Sequence, residues 1–134
     1  MEAVLARQVA AGASPEVVAD AACELWRRID ANLSPIIGRH GVAALVKRSL
    51  HLTRISHPAL SAAASADARP GDFRALRAAL AAQASADAAA SNAALVGTFY
   101  DLLSSLIGAT LTERLLDPVW TGPSTDAPAR DSST

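Results

Sequence analysis

The chain has 134 residues, enough for one domain with a single core and too few for two ordinary domains. Alanine occupies 32 positions, whereas there are only five aromatic residues, seven glycines and seven prolines. This composition excludes collagen-like, disulfide-rich and typical β-sandwich proteins, and it favours helices. The formal net charge is −1, so no overall field draws the chain to nucleic acid or to an anionic membrane.

The ends of the sequence and its single cysteine bear on location. Cys23 has no second cysteine with which to form an internal disulfide, and the first residues lack the basic and apolar regions of a secretory signal. We therefore expect a bacterial, cytoplasmic protein, because arginine in place of lysine and abundant alanine are typical of GC-rich genomes. Residues 1–13 and 121–134 have weak apolar patterns, so we expect mobile tails around a helical domain at 14–120.

The first helix is predicted to begin at Ser14. A serine hydroxyl caps a helix N-terminus, Pro15 fits the first turn, and Glu16 complements the helix dipole. Apolar residues then recur at helical spacing, which indicates one buried face: Val18, Ala22, Leu25, Ile29, Leu33 and Ile36. We expect Ser34-Pro35 to kink or cap this helix, which ends by Gly38.

Two further helices are predicted in the middle of the chain. The second runs from about residue 40 to 56 and stops at His57-Pro58, after which residues 58–71 read as a long surface loop. In the third, Asp72 is the candidate cap and the apolar stripe is thin: Phe73, Leu76 and Leu80. Half of the positions from 59 to 94 are alanine, so intrinsic propensity forms much of this helix.

The fourth helix, residues 92–116, is predicted to be the most buried. Its large apolar residues cover most of its circumference, and Leu106 stands at the centre of the apolar arc. After Asp117-Pro118, Val119-Trp120 is expected to fold back as a hydrophobic lid. Asp101 and neighbouring polar residues argue against a membrane span. The sequence predicts an all-α, compact four-helix bundle, and its alanine repeats are interpreted as compositional.

Catalytic and metal-binding signatures are absent from the sequence. It contains no P-loop, dinucleotide turn, nucleophile elbow, HExxH or CxxC motif, so a non-enzymatic role is favoured over an enzyme. His40 and His51 are separated by about 16 Å along one helix, and His57 lies beyond its end, which excludes a shared ion within that helix. We expect no metal and no cofactor, and a small, partly covered thiol at Cys23.

The second helix carries a local positive charge. Residues 26–57 include six basic side chains and one acidic side chain. At 100° per residue, most of the second helix's basic side chains fall within about 60° of one another, opposite its apolar face. The residues within this arc are His40, Lys47, His51 and Arg54, and together with the nearby Arg48 we name them the basic stripe. The stripe is interpreted either as a surface for an anion or an acidic partner, or as a solvated outer face.

Small and polar residues line one side of the fourth helix. We name them the small-residue strip: Gly97, Asp101, Ser104 and Gly108. Small residues let another helix approach closely, so the strip indicates either a homodimer interface or packing against the alanine-rich third helix. Asp101 is interpreted either as a buried acid or as a structural carboxylate that faces serines.

The sequence is compatible with three functions. The first is a non-enzymatic regulatory or adaptor module that binds another protein and forms a homodimer. The second is a small-molecule or cofactor-binding bundle with an apolar pocket walled by Trp26, Phe99 or Tyr100. The third is an enzyme without a recognisable motif. Nucleic acid is not an expected partner, because the second helix has no asparagine, glutamine or aromatic residue.

Overall fold

A computed structural model describes residues 12–66 and 69–120, apart from the side chain of Trp120. These two stretches contain six packed α-helices and no strand, which confirms the all-α class but gives two more helices than predicted. The helices are α1 (Pro15–Ile37), α2 (Arg39–Thr53), α3 (Ser61–Ser65), α4 (Arg74–Ala81), α5 (Ser85–Ile107) and α6 (Ala109–Trp120). Of the predicted tails, 1–13 and 121–134, all but residues 12 and 13 lie outside the described residues.

The start of α1 agrees with the prediction. The Ser14 hydroxyl accepts a hydrogen bond from the Val17 amide at 3.3 Å, and Pro15 is the first helical residue. The helix continues through Pro35 and ends at Gly38. Its predicted apolar face is buried up to Leu33, whereas the side chain of Ile36 is 54% exposed.

Two glycines set the sharp turns between long helices. Gly38 ends α1 with a φ of 84°, and Gly108 ends α5 with a φ of 92°. The amide of each donates to a serine carbonyl four residues earlier, at 2.9 Å to Ser34 and 2.8 Å to Ser104. A side chain at either position would strain the backbone. The predicted continuous helix over 92–116 is therefore wrong, because the chain turns at Gly108.

The two halves of the described chain repeat one pattern at a distance of 70 residues. Residues 31–40 and 101–110 have the same order of buried and exposed positions. Packing follows the repeat, because α1 contacts α2 and α6 while α5 contacts α6 and α2. Seven of the paired positions carry the same residue in both halves: Ala19/Ala89, Leu25/Leu95, Leu33/Leu103, Ser34/Ser104, Ile37/Ile107, Gly38/Gly108 and Leu45/Leu115. α1–α2 and α5–α6 thus form a duplicated helix pair, and α3 and α4 lie between the two copies in the chain.

The core is centred between α1 and α5. The rings of Trp26 and Phe99 are fully buried and meet edge to face with centroids 5.2 Å apart. The indole N–H of Trp26 donates to Asn92 Oδ1 at 2.8 Å. Asn92 and its neighbour Ser91 lie inside α5, which begins at Ser85. The predicted start at residue 92 was wrong because these two polar residues resemble a helix boundary in sequence.

The segment predicted as a surface loop is partly helical and buried. A 3₁₀ turn at Pro58–Leu60 leads directly into α3, and Leu60, Ala63 and Ala64 are buried in the core. The predicted apolar stripe of Phe73, Leu76 and Leu80 is also buried, at and within α4. Val119 is buried, but it belongs to α6, which continues through Pro118 and forms no folded-back lid.

Leu106 is on the surface, which overturns its predicted central position. Its side chain is 63% exposed, whereas that of Leu103 is fully buried. Leu106 lies in the last turn of α5, where the chain turns away at Gly108. The repeat places Ile36 at the corresponding exposed position at the end of α1. Hydrophobic periodicity alone did not reveal that α5 ends at Ile107.

Leu103 and Leu106 provide a matched test of the core. We predict that Leu103→Ala lowers the free energy of unfolding by about 2–5 kcal/mol, because it opens a cavity in the core. Leu106→Ala should change it by only about 0.5 kcal/mol. Urea unfolding followed by circular dichroism measures both variants. A larger loss for Leu106→Ala would contradict the described end of α5.

Candidate functional site

The structure brings the basic stripe to the solvent side of α2. His40, Lys47, Arg48 and Arg54 are exposed and His51 is half-buried. The opposite side of α2 packs into the core through Val42, Val46, Ser49, Leu50 and Thr53. No acidic residue lies within α2. The helix therefore presents one sign of charge to solvent.

The cations of the basic stripe are not neutralised by ion pairs within the described ranges. Neither Lys47, Arg48 nor Arg54 lies within 4.0 Å of a carboxylate of residues 12–66 or 69–120, and Arg54 Nε donates instead to the His51 carbonyl at 3.3 Å. Arg77 contrasts with them, because its Nε lies 2.6 Å from Asp20 Oδ1. Within these ranges, the charges of Lys47, Arg48 and Arg54 are thus not offset by a nearby acid.

Exposed apolar side chains adjoin the basic stripe. Ile55, just after α2, is 77% exposed, and Leu52 is 39% exposed. At 100° per residue, Leu52 projects within about 40° of Arg48, and Ile55 lies in the turn that follows α2. The surface therefore combines cations with apolar anchors, the mixture that suits an amphipathic acidic segment.

Comparison of α2 with the corresponding helix of the repeat shows whether packing requires the positive charge of α2. α6 occupies the corresponding place in the second half, and the positions of Val42 and Val46 correspond to buried Thr112 and Leu116. On its outer side, however, Lys47 corresponds to Asp117. Both helices pack on α1 and α5, although α2 also contacts α3, and their outer sides carry different charge. Contact with α1 and α5 therefore does not require a basic α2.

A second polar surface lies between α1, residues 69–73 and α4. It is an open groove of about 410 Å³. We name it the arginine groove, and its lining is Cys23, Arg27, Arg69, Pro70, Gly71, Asp72, Phe73, Arg74 and Arg77. Sequence reasoning missed it because α1 and the later segment meet only in the folded chain. The closely spaced Arg69, Arg74 and Arg77 were the available signal.

Hydrogen bonds fix the α4 edge of the arginine groove. Asp72 accepts bonds from the Arg74 amide at 3.1 Å and from the Arg74 guanidinium at 3.0 and 2.9 Å. The side-chain bond with Arg74, followed by the backbone bond, lowers the pKa of Asp72 to about 2. The carboxylate is therefore ionised at neutral pH and holds the Arg74 side chain in place.

Cys23 forms part of the floor of the arginine groove. Its side chain is 1% exposed, and its Sγ donates to the Phe73 carbonyl at 3.7 Å. Burial raises the pKa of the thiol above its ordinary value, although the positive charge of Arg27 opposes this shift. The thiol thus stays protonated at neutral pH, unlike a reactive cysteine.

The contact between Ser91 and His57 does not form a nucleophilic centre. Ser91 Oγ lies 3.5 Å from His57 Nδ1, but it donates to Gln83 Oε1 at 2.9 Å and is 1% exposed. A buried hydroxyl with this bond is structural. Within 12–66 and 69–120, no three histidine, cysteine or acidic side chains come together to hold a metal ion.

The small-residue strip lies on the surface of α5. Gly97, Asp101 and Gly108 are exposed, and Ser104 is half-buried. A Cβ on Gly97 would meet no described atom within 4 Å, so the described α4 does not cover this position. Asp101 is not the buried acid that one interpretation required. Glycine at position 108 is explained by the positive φ that the backbone adopts at the end of α5.

Two of the three aromatic residues proposed as a pocket wall fill the core instead, whereas Tyr100 is half-buried and its hydroxyl donates to Glu113 Oε2 at 3.2 Å. Trp26 and Phe99 contact each other and are fully buried, and neither lines the arginine groove. None of the helices formed by the described residues is long and apolar enough to span a bilayer.

Comparison with known proteins found no match for the chain among protein family models, curated proteins or solved structures.

Burial of Cys23 gives a chemical test of the groove floor. We predict that the folded protein reacts with a thiol-specific disulfide reagent at pH 8 at least about tenfold more slowly than the chain unfolded in urea, because the thiolate is disfavoured and covered. Absorbance of the released thiolate follows both rates. Equal rates would place Cys23 at the surface, contrary to the described packing.

Proposed function

We propose that the protein is a non-enzymatic regulatory or adaptor module that binds an acidic, apolar-containing segment of a partner protein on the basic stripe. The observation that carries this proposal is the contrast between α2 and α6. Both helices pack at corresponding positions of the repeat, yet only α2 has an outer side with several cations and no acid. Because packing does not require these cations, we infer that they contact a partner protein.

The chemistry of the basic stripe favours a protein segment over nucleic acid. Readers of nucleic acid bases use amides or stacking aromatics, and α2 has neither. The aromatic rings of Trp26, Phe73 and Phe99 are buried away from this surface. Ile55, by contrast, offers an apolar contact next to the cations. An amphipathic segment with acidic and apolar faces matches both features.

Charge and apolar contact contribute differently to this binding. Exposed cations such as Lys47 and Arg48 raise the association rate with an acidic partner and disfavour binding of basic proteins. Salt screens both effects. Burial of Ile55 and Leu52 contributes affinity that depends less on salt. The proposed complex should therefore weaken with salt without disappearing.

A synthetic amphipathic peptide with leucines at helical spacing and glutamates elsewhere tests this proposal. We expect saturable binding by fluorescence anisotropy, and an affinity at least about tenfold lower for Lys47→Glu with Arg48→Glu, because the variant repels the glutamates. Ile55→Ala should weaken binding a few-fold. Raising NaCl from about 50 to 300 mM should weaken the original complex more than the charge-reversed one.

Two variants serve as matched controls. Arg114→Glu reverses an exposed charge on α6, and Leu106→Ala removes an exposed apolar side chain on α5. Both should bind the peptide as the original chain does. Equal binding by the Lys47→Glu/Arg48→Glu variant would overturn the proposal. Tighter binding of an RNA or DNA duplex than of the peptide would also overturn it.

We further propose that two copies associate through the small-residue strip. Gly97 supports this interface because it is exposed and has open space above it, and small side chains permit close approach of two helices. The corresponding position in the first half carries Arg27, so the repeat does not require a glycine here.

Sedimentation equilibrium measures this association. We expect a dimer mass for the original chain and for Gly97→Ala, and a monomer mass for Gly97→Leu, because the larger side chain separates the two helices. Gly108 is left unchanged, since its φ of 92° would strain any substitute. A monomer mass for the original chain would contradict the proposal.

A further inference from the structure

We propose that the arginine groove binds a small molecule that carries two or more phosphate or carboxylate groups. This site is separate from the basic stripe, and its lining has four guanidinium groups and a single carboxylate, that of Asp72. A cavity of about 410 Å³ lies within the range of small-molecule sites, about 300–1,000 Å³.

Arg27 and Arg69 are the cations available to such an anion. Arg27 Nη1 lies 3.7 Å from Glu24 Oε1, and both side chains are more than half exposed, so this pair is weak. Arg69 is exposed and has no ion pair with an acid of the described ranges. Both side chains line the same groove from different segments of the chain. A multivalent anion can bridge them.

Arg74 and Arg77 are held in place by acids at the edge of the groove. Asp72 receives two N–H groups of Arg74, and Asp20 receives Nε of Arg77 at 2.6 Å. A guanidinium has five N–H groups, so each arginine keeps donors for a second acceptor. Because these bonds already orient the side chains, a ligand need not order them fully on binding.

The floor of the groove adds no negative charge. The Cys23 thiol donates to the Phe73 carbonyl, and burial keeps it protonated. An anion above it therefore meets a neutral group. The lining is otherwise dominated by arginine, which forms bidentate bonds with phosphate and carboxylate groups.

The repeat indicates that Arg27 is not required for packing. Cys23 and Arg27 on α1 correspond to Ala93 and Gly97 on α5. Arg27 and Gly97 are both exposed, whereas Cys23 is buried and Ala93 is half-buried. The cation of Arg27 is thus an addition to the shared architecture, as are the cations of the basic stripe.

Isothermal titration of the full chain with pyrophosphate and with citrate tests the proposal at low ionic strength. We expect saturable 1:1 binding of at least one probe, and the tighter probe identifies phosphate or carboxylate as the preferred group. Arg27→Ala with Arg69→Ala should lower its affinity at least about tenfold, because two charge-assisted contacts are lost. Lys47→Ala with Arg48→Ala is the matched control and should change it less than about twofold.

Amide NMR of the original chain locates the site independently of variant folding. Pyrophosphate or citrate should shift the amide signals of Gly71 and Phe73 most strongly. If neither probe saturates the protein at concentrations up to about 10 mM, the proposal is overturned. That concentration is about tenfold above a weak dissociation constant of about 1 mM. An equal loss in both double variants, or the largest shifts on α2, would also overturn it. The acidic-peptide assay uses the basic stripe, so failure of one site is distinguishable from failure of the other.

Discussion

The arrangement of the two halves depends on one buried hydrogen bond. The indole N–H of Trp26 is removed from water, and an unsatisfied buried donor costs about 1–3 kcal/mol. Asn92 Oδ1 satisfies it at 2.8 Å, and Phe99 packs edge to face on the same indole. These contacts join α1 to α5 where they pack in the core. α4 packs mainly on α1, and α2 packs mainly on α5, so both proposed binding surfaces are built on the two helices that these contacts join.

The duplicated helix pair distinguishes residues that build the fold from residues that are free to serve another purpose. Leu33 and Leu103 are fully buried at corresponding positions, and Gly38 and Gly108 make the same turn. The halves also differ at buried positions, such as Trp26 and Val96, but those residues carry no charge, and the differences in charge lie on the surface. This comparison within one chain supplies the argument that surface position alone does not, since a solvated helix face is usually polar for solubility.

The sequence predicted those features that depend on neighbouring residues. The cap at Ser14 and the buried face of α1 up to Leu33 follow from local spacing. Local spacing also puts Lys47 and Arg48 of α2 on a different side from the buried Val42. The turn at Gly108 was missed because a glycine in an apolar run is compatible both with a continuous helix and with a positive φ. The arginine groove was missed because Arg27 and Arg69 become neighbours only through tertiary packing.

The path of residues 69–73 explains why the two proposed sites can be tested separately. This segment lines the arginine groove on one side and, on the other, a narrow cavity against Val42 and Val46 of α2. Those two side chains belong to the buried side of α2, whereas Lys47 and Arg48 project to solvent on the other side. A ligand on Arg69 therefore approaches the flank of α2 without direct contact with the basic stripe. Any influence of one site on the other must pass through packed residues. A substitution on one surface should therefore reduce binding directly only at that surface.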